Sequence, residues 1–196
     1  MDRATATGTS SVRKRAALAA ALVAAAAIVA LSVGGSSGTR AFAWLRPGPA
    51  PAGWHVARTP GGASLAYAPG WRAIETDPGT ASAALVEPRL IAGYLNATPR
   101  DGAETLTNWS RFRPAHDREE GDRDVRLLSS ATGLRFRTGH GSCVIDRYST
   151  SRTTYREIAC LVAGPQRSTV IVAAAPDSLW DRQAPTLERA VSTFTP

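Results

Sequence analysis

The sequence predicts an α+β domain, a mainly antiparallel sheet covered by helices, preceded by an N-terminal transmembrane helix. Three observations carry this reading. Ala16–Val33 is an apolar run with no charged residue and one hydroxyl, Ser32. Between Ser64 and Ala175 short apolar or alternating segments follow one another, separated by turn signals such as Pro69-Gly70 and Asp77-Pro78-Gly79. Two stretches repeat their apolar residues at helical spacing, and strands that neighbour each other in sequence pair most simply as antiparallel ribbons with helices laid over them.

Residues 1–15 form a cytoplasmic arm ending in Arg13, Lys14 and Arg15. Residues 16–33 then span about 27 Å as a helix, close to a bilayer's hydrocarbon core. Basic residues before the span place the arm inside and the remainder of the chain outside the cytoplasm. A cleavable signal peptide competes with this signal-anchor. Ala41-Phe42-Ala43 has the form of a cleavage site but lies ten residues beyond the apolar run, and an earlier cut near 34–37 is the other option. A buried core helix would show a polar face, and this run has none. No cysteine stands just after the run, so no lipid attachment is expected there.

Residues 34–62 read as a Gly/Pro-rich linker, with Trp44 placed for a membrane interface and Trp54 for the domain edge. The extracytoplasmic domain is expected over 63–196. Ser64–Ala68, Trp71–Thr76, Ala81–Val86 and Leu90–Asn96 read as strands, the last two broken at Pro88. In 103–113, Leu106, Trp109 and Phe112 set one helical stripe, which Pro114 ends or kinks. His116–Asp124 reads as a solvated, charged connector. Val125–Ala131 and Leu134–Thr138 read as strands around Thr132-Gly133, the second with Leu134 and Phe136 facing the core and Arg135 and Arg137 facing water. Ser142–Tyr148 and Tyr155–Ala163 form a hairpin. Thr169–Ala175, apolar on both faces, is a central strand. A closing helix carries Ala184, Leu187, Val191 and Phe194 on one face, with Ser178 and Asp181 as a capping pair and a break expected near Pro185.

The formal charge of +7 does not indicate a nucleic-acid binder. Four basic residues and one acid precede Val33, so of the 23 basic and 16 acidic residues, 19 and 15 remain beyond it. No long basic run occurs among them, as a phosphate-tracking stripe requires. Lys14 is the only lysine among those cations, a bias that fits a GC-rich bacterial genome.

Cys143 and Cys160 are the two cysteines, both in the hairpin. A turn centred on Ser151-Arg152 sets them opposite each other, and outside the cytoplasm they are expected to oxidise. Closing such a loop stabilises by about 3 kcal/mol on the chain-entropy account. The same register opposes Asp146 to Glu157 and Arg147 to Arg156, like-charge pairs that need other partners. A Cys143 nucleophile served by His140 is disfavoured, because side chains three apart on a strand point to opposite faces.

Other constellations are weaker. The acids and histidine of 116–124 lack the ligand positions of a calcium loop, so no metal is assigned. Ser142, His140 and Asp146 are the types of a hydrolytic triad, without the G-x-S-x-G turn that would present the serine. Asn96-Ala97-Thr98 and Asn108-Trp109-Ser110 match the glycosylation sequon. The aromatic set Tyr67, Trp71, Tyr94, Trp109, Tyr148, Tyr155 and Trp180 reads mainly as packing. Its functional alternative is a ligand groove between sheet and helix formed by Trp71, Tyr148 and Tyr155 with Arg135 and Arg137 on one rim. No cofactor is called for.

Tyr67-Ala68-Pro69-Gly70-Trp71 resembles the N-terminal signature of the Mog1/PsbP-like family. The strand ending Ala175-Pro176, Trp180 and the helix ending Val191-Ser192-Thr193-Phe194 are similar to its closing elements. The resemblance covers roughly 54–194. It implies an α/β/α sandwich and, as in membrane-anchored actinobacterial envelope proteins of this kind, a non-catalytic binding or assembly module. It supplies no site residue. The expected function is therefore a single-pass membrane protein whose outer domain binds an envelope protein or small ligand. An envelope hydrolase, or a secreted structural protein after signal-peptide cleavage, is the alternative.

Overall fold

The computed structural model describes residues 40–196. The basic arm and the apolar run Ala16–Val33 lie outside the described residues. Among the described residues no helix is long and apolar enough to cross a membrane.

Seven antiparallel strands form the central sheet in the order β3-β4-β5-β9-β8-β7-β6. They are β3 (Arg72–Ile74), β4 (Ala81–Glu87), β5 (Leu90–Pro99), β6 (Arg123–Phe136), β7 (Gly139–Ser149), β8 (Thr154–Ala163) and β9 (Ser168–Pro176). A separate hairpin pairs β1 (His55–Arg58) with β2 (Ser64–Tyr67). Helix α1 (Trp109–Glu119) covers one face of the sheet and α2 (Trp180–Thr193) the other, so the molecule is an α/β/α sandwich.

The two faces follow from strand alternation. In β8, Ile158, Cys160 and Val162 pack toward α2, whereas Ala159 and Leu161 pack toward α1. This continuous apolar run is what a strand covered on both sides requires. Leu187, Ala190, Val191 and Phe194 close the α2 side with no exposed surface. On the other side Trp109 is buried, and its indole Nε1 donates to the Ala159 carbonyl at 3.0 Å.

Four expectations change. Of the linker expected over 34–62, residues 34–39 lie outside the described residues, and 40–62 are packed rather than free. Phe42 is buried in the α2-side core, Trp44, Leu45, Trp54 and Ala57 pack against it, and Gly48 N–H donates to the Ser192 carbonyl. Six glycines and prolines in 47–60 deny this stretch regular structure over most of its length, but they do not stop it packing along α2. A cut after Ala43 would remove Phe42 from the core. Second, β6 is one strand rather than two. Gly133, at φ +67°, lies in one of its three register shifts, so the expected turn is a bulge.

Third, α1 starts at Trp109 and runs through Pro114 to Glu119. Its end is set by Gly121 at φ +97°: Gly121 N–H donates to Arg118 O and Asp122 N–H to Asp117 O, the paired closure of a Schellman motif. The region 116–124 is thus half helix, and Asp117 is fully buried. Fourth, α2 follows a single 3-10 turn, Asp177–Leu179, with no side-chain cap, and it continues through Pro185.

Candidate functional site

The Cys143–Cys160 disulfide forms where the hairpin register predicts, with every β7–β8 pair in the expected alignment. The like-charge pairs also occur, and each is resolved by a residue from another element. On the α2 face Asp177 receives Arg147 at 3.1 Å and Arg156 at 2.8 Å, and the Arg156 guanidinium lies 5.4 Å from the centre of the Trp180 ring. On the α1 face Arg113 meets Glu157 through two hydrogen bonds, 2.8 and 3.0 Å. This fork-to-fork pairing is the strong geometry for a guanidinium and a carboxylate.

Arg113 also stands 3.1 Å from Asp117 Oδ1, close but not aligned as a hydrogen bond. Asp146 has no hydrogen-bond partner for either carboxylate oxygen and no exposed surface. Three buried carboxyl groups therefore share one guanidinium. Burial pushes Asp117 up to about 7, against the pull of Arg113. Burial, with Glu157 adding to it, pushes Asp146 well above the carboxylate range. The Tyr148 phenol is likewise held protonated, by burial and by Glu157, which accepts its hydroxyl at 3.4 Å. Burial opposes the Arg113 charge, but the surrounding carboxylates outweigh it and raise its pKa further. Among the described residues no trio of His, Cys, Asp or Glu is placed to hold a metal ion.

The five residues expected to line a groove are not brought together. Trp71 is buried on the α2 side, so close to Gly93 that a Cβ there would stand 2.5 Å from its ring. Tyr148 and Tyr155 stack at 5.8 Å at the tip end of the β7–β8 hairpin, on the α1 face. Arg135 and Arg137 are exposed at the far edge of the sheet, around a separate depression of about 630 Å³ with Phe42, Leu45 and Phe136. The triad types fail as well: Ser142 is buried and its hydroxyl donates to the Leu106 carbonyl at 2.6 Å, while His140 is exposed.

The open groove lies elsewhere. Helix α1 sits over β6 and β7, reaches β8 through Trp109, and only partly covers the same face of β5 and β9, giving a groove of about 620 Å³. Tyr94, Asn96 and Thr98 line it from alternate positions of β5, beside Val170 and Val172 of β9. Trp109, Phe112 and His116 form a stacked row along its helix wall, with ring centres 6.0 and 5.8 Å apart. Asp77, Asp101, Glu104 and Glu120 line it as well. Asn96 is held by a hydrogen bond to Ser82 Oγ at 2.8 Å, and Ser82 lies 2.7 Å from Thr76.

Sequence reasoning missed this groove although two signals were present. Tyr94, Asn96 and Thr98 put three polar-tipped side chains on one face of an interior strand, which marks a face that no helix covers fully. Gly121 marks the end of α1 and thereby puts Arg113, His116 and Asp117 on one helix, with Glu120 as its C-cap.

No family model matches the sequence, and no curated protein matches it. Solved structures do match. The solution structure of cyanobacterial PsbP (CyanoP) from Synechocystis sp. PCC 6803 is 13% identical, with a TM-score of 0.53 over 72% of this chain and 91% of that one. LpqN, described as involved in cell envelope biogenesis of Mycobacterium tuberculosis, is 15% identical, with a TM-score of 0.43 over 69% of this chain and 84% of its own. A Pseudomonas aeruginosa protein of unknown function, PA94, described as a putative regulator, is 7% identical, with a TM-score of 0.43 over 73% and 96%. The last two likenesses are too loose to carry anything over. The first shows the fold: this chain has the PsbP-like architecture that its Pro-Gly-Trp and closing-helix motifs resemble.

Proposed function

We propose that the chain is a membrane-anchored, extracytoplasmic module of a bacterial cell envelope, that it binds without turnover, and that its ligand sits in the groove beside α1. The observation that carries the reading is the groove left where α1 only partly covers β5 and β9. Interior strands gain most when covered on both sides, yet here the open side is furnished with hydrogen-bonding and aromatic groups at the size usual for small-molecule sites. The location is supported by the apolar run Ala16–Val33 behind Arg13, Lys14 and Arg15, and the disulfide suits an oxidising compartment. The absence of turnover is supported by the spent hydroxyl of Ser142 and by the pairing of both cysteines.

The test is thermal unfolding of the full chain in mild detergent against a library of small envelope metabolites, with Thr98→Phe alongside. Thr98 faces the groove from β5, so phenylalanine fills the groove without entering the core. Compounds that raise the Tm of the wild type but not of Thr98→Phe support the reading. Equal stabilisation of both, or none by any compound, removes the groove as the binding site.

A further inference from the structure

The groove is acidic in a chain whose net charge is positive. Asp77, Asp101, Glu104 and Glu120 line it. Its two basic-type side chains are already engaged: Arg113 by Glu157 and Asp117, and His116 by Glu120 at 3.1 Å. The acids are not evenly spread. Pairing of Thr98 with Val170, and of Ser82 with Asn96, brings the loops carrying Asp77 and Asp101 to the Thr98 end. Glu104 lies on the same side, in the loop between β5 and α1.

Glu104 gives this end its chemistry. The residue is 5% exposed. One carboxylate oxygen, Oε1, accepts the Asp101 N–H at 3.1 Å, but Oε2 has no partner. Gly102 lies against that oxygen, where a Cβ would stand 2.6 Å away. A buried carboxylate oxygen left unpaired is costly and is satisfied best by a charged donor. From this end the groove continues along the faces of Trp109 and Phe112 and the methyls of Val170 and Val172, a surface suited to an alkyl stem. Aromatic faces also favour cations.

Resting on the reading of the groove as the ligand site, we infer that it takes a small organic cation. The ligand carries a primary ammonium group that meets Glu104 Oε2 at the Asp101 end, the exposed Asp101–Ala103 loop that covers this oxygen giving way as it enters, with an apolar stem lying along α1. Anions are disfavoured by Asp77, Asp101 and Glu104, and a neutral hydroxyl would donate to Oε2 without the charge that strengthens the bond.

Isothermal titration of the full chain in mild detergent tests this with cadaverine, pentanediol and glutarate, which share a five-carbon stem and differ in end-group charge. Cadaverine is expected to bind and the other two not. Glu104→Gln keeps the Oε1 acceptor and should weaken cadaverine about tenfold or more, the scale of a lost charged hydrogen bond. Should Glu104→Gln fold poorly, the exposed Asp101→Asn serves, with a smaller loss. Asp181→Asn, an exposed acid on α2, should leave binding unchanged. Equal loss in Asp181→Asn, or none in Glu104→Gln and Asp101→Asn, overturns the inference, since binding is then to general surface charge. Silence from cadaverine overturns it in any case. If pentanediol or glutarate then binds the wild type and not Thr98→Phe, the groove remains a binding site with another preference. If Thr98→Phe matches the wild type across the whole library, both readings fall.

Discussion

Arg113 is the one guanidinium among three buried carboxyl groups, Asp117, Asp146 and Glu157. Removing it leaves Glu157 buried without a counter-charge, so Arg113→Met is expected to cost about 3–5 kcal/mol, read as a lower urea midpoint. The remaining acids set a pH dependence of unusual sign. Asp117 has an ordinary pKa of 3.8 when unfolded and about 7 when folded, raised by burial. Between those values the native state holds a proton that the unfolded chain has lost, so stability falls as pH rises through that window. The contribution is fully present below 3.8. Urea midpoints compared between wild type and Asp117→Asn should diverge against the wild type from pH 4 to 7, and a flat difference would refute the assignment. None of this is visible from composition. The sequence shows Asp146 opposite Glu157, but the residue that reconciles them comes from a helix, 44 positions before Glu157 in the chain.

Among the elements, those defined by local signals were legible and those decided by distant partners were not. The β7–β8 register followed from turn position and the parity of two cysteines, and β9 from its unbroken apolar run. Helix α1 was misplaced because Pro114 is a strong breaker on intrinsic grounds, costing about 3 kcal/mol in a helix interior. Tertiary ties outweigh it: Trp109 bonded to Ala159, Arg113 to Glu157, and Arg118 reaching both Pro114 O at 2.8 Å and Val125 O at 3.0 Å. The division of β6 at Gly133 failed for the converse reason, since pairing along β7 carries the strand through a local turn signal. For the hairpin, replacing both cysteines by alanine should lower stability by about 3 kcal/mol. Reducing the wild type in urea should shift its midpoint equally, whereas an unchanged midpoint would make the bond energetically idle.

At the scale of the molecule, the chain is tied together from its described start to its end. The 40–54 stretch runs along α2, and Ser64 bonds Thr195 in both directions at 2.7 and 3.2 Å. Phe42 is the first described residue of the core, and the apolar run Ala16–Val33 precedes it in the sequence. If that run is a signal-anchor, protease added to intact spheroplasts should digest 40–196 and spare an N-terminal tag, and cytoplasmic protection of the domain would reverse the proposed topology. The disulfide adds a constraint in time. Both cysteines are buried beneath α2 and the Phe42 segment, at 1% and 0% exposure. No oxidant reaches those sulfurs once the face is closed. The hairpin must therefore be oxidised while α2 is still undocked from that face, so the bond records an order of assembly: sheet first, oxidation second, closure last.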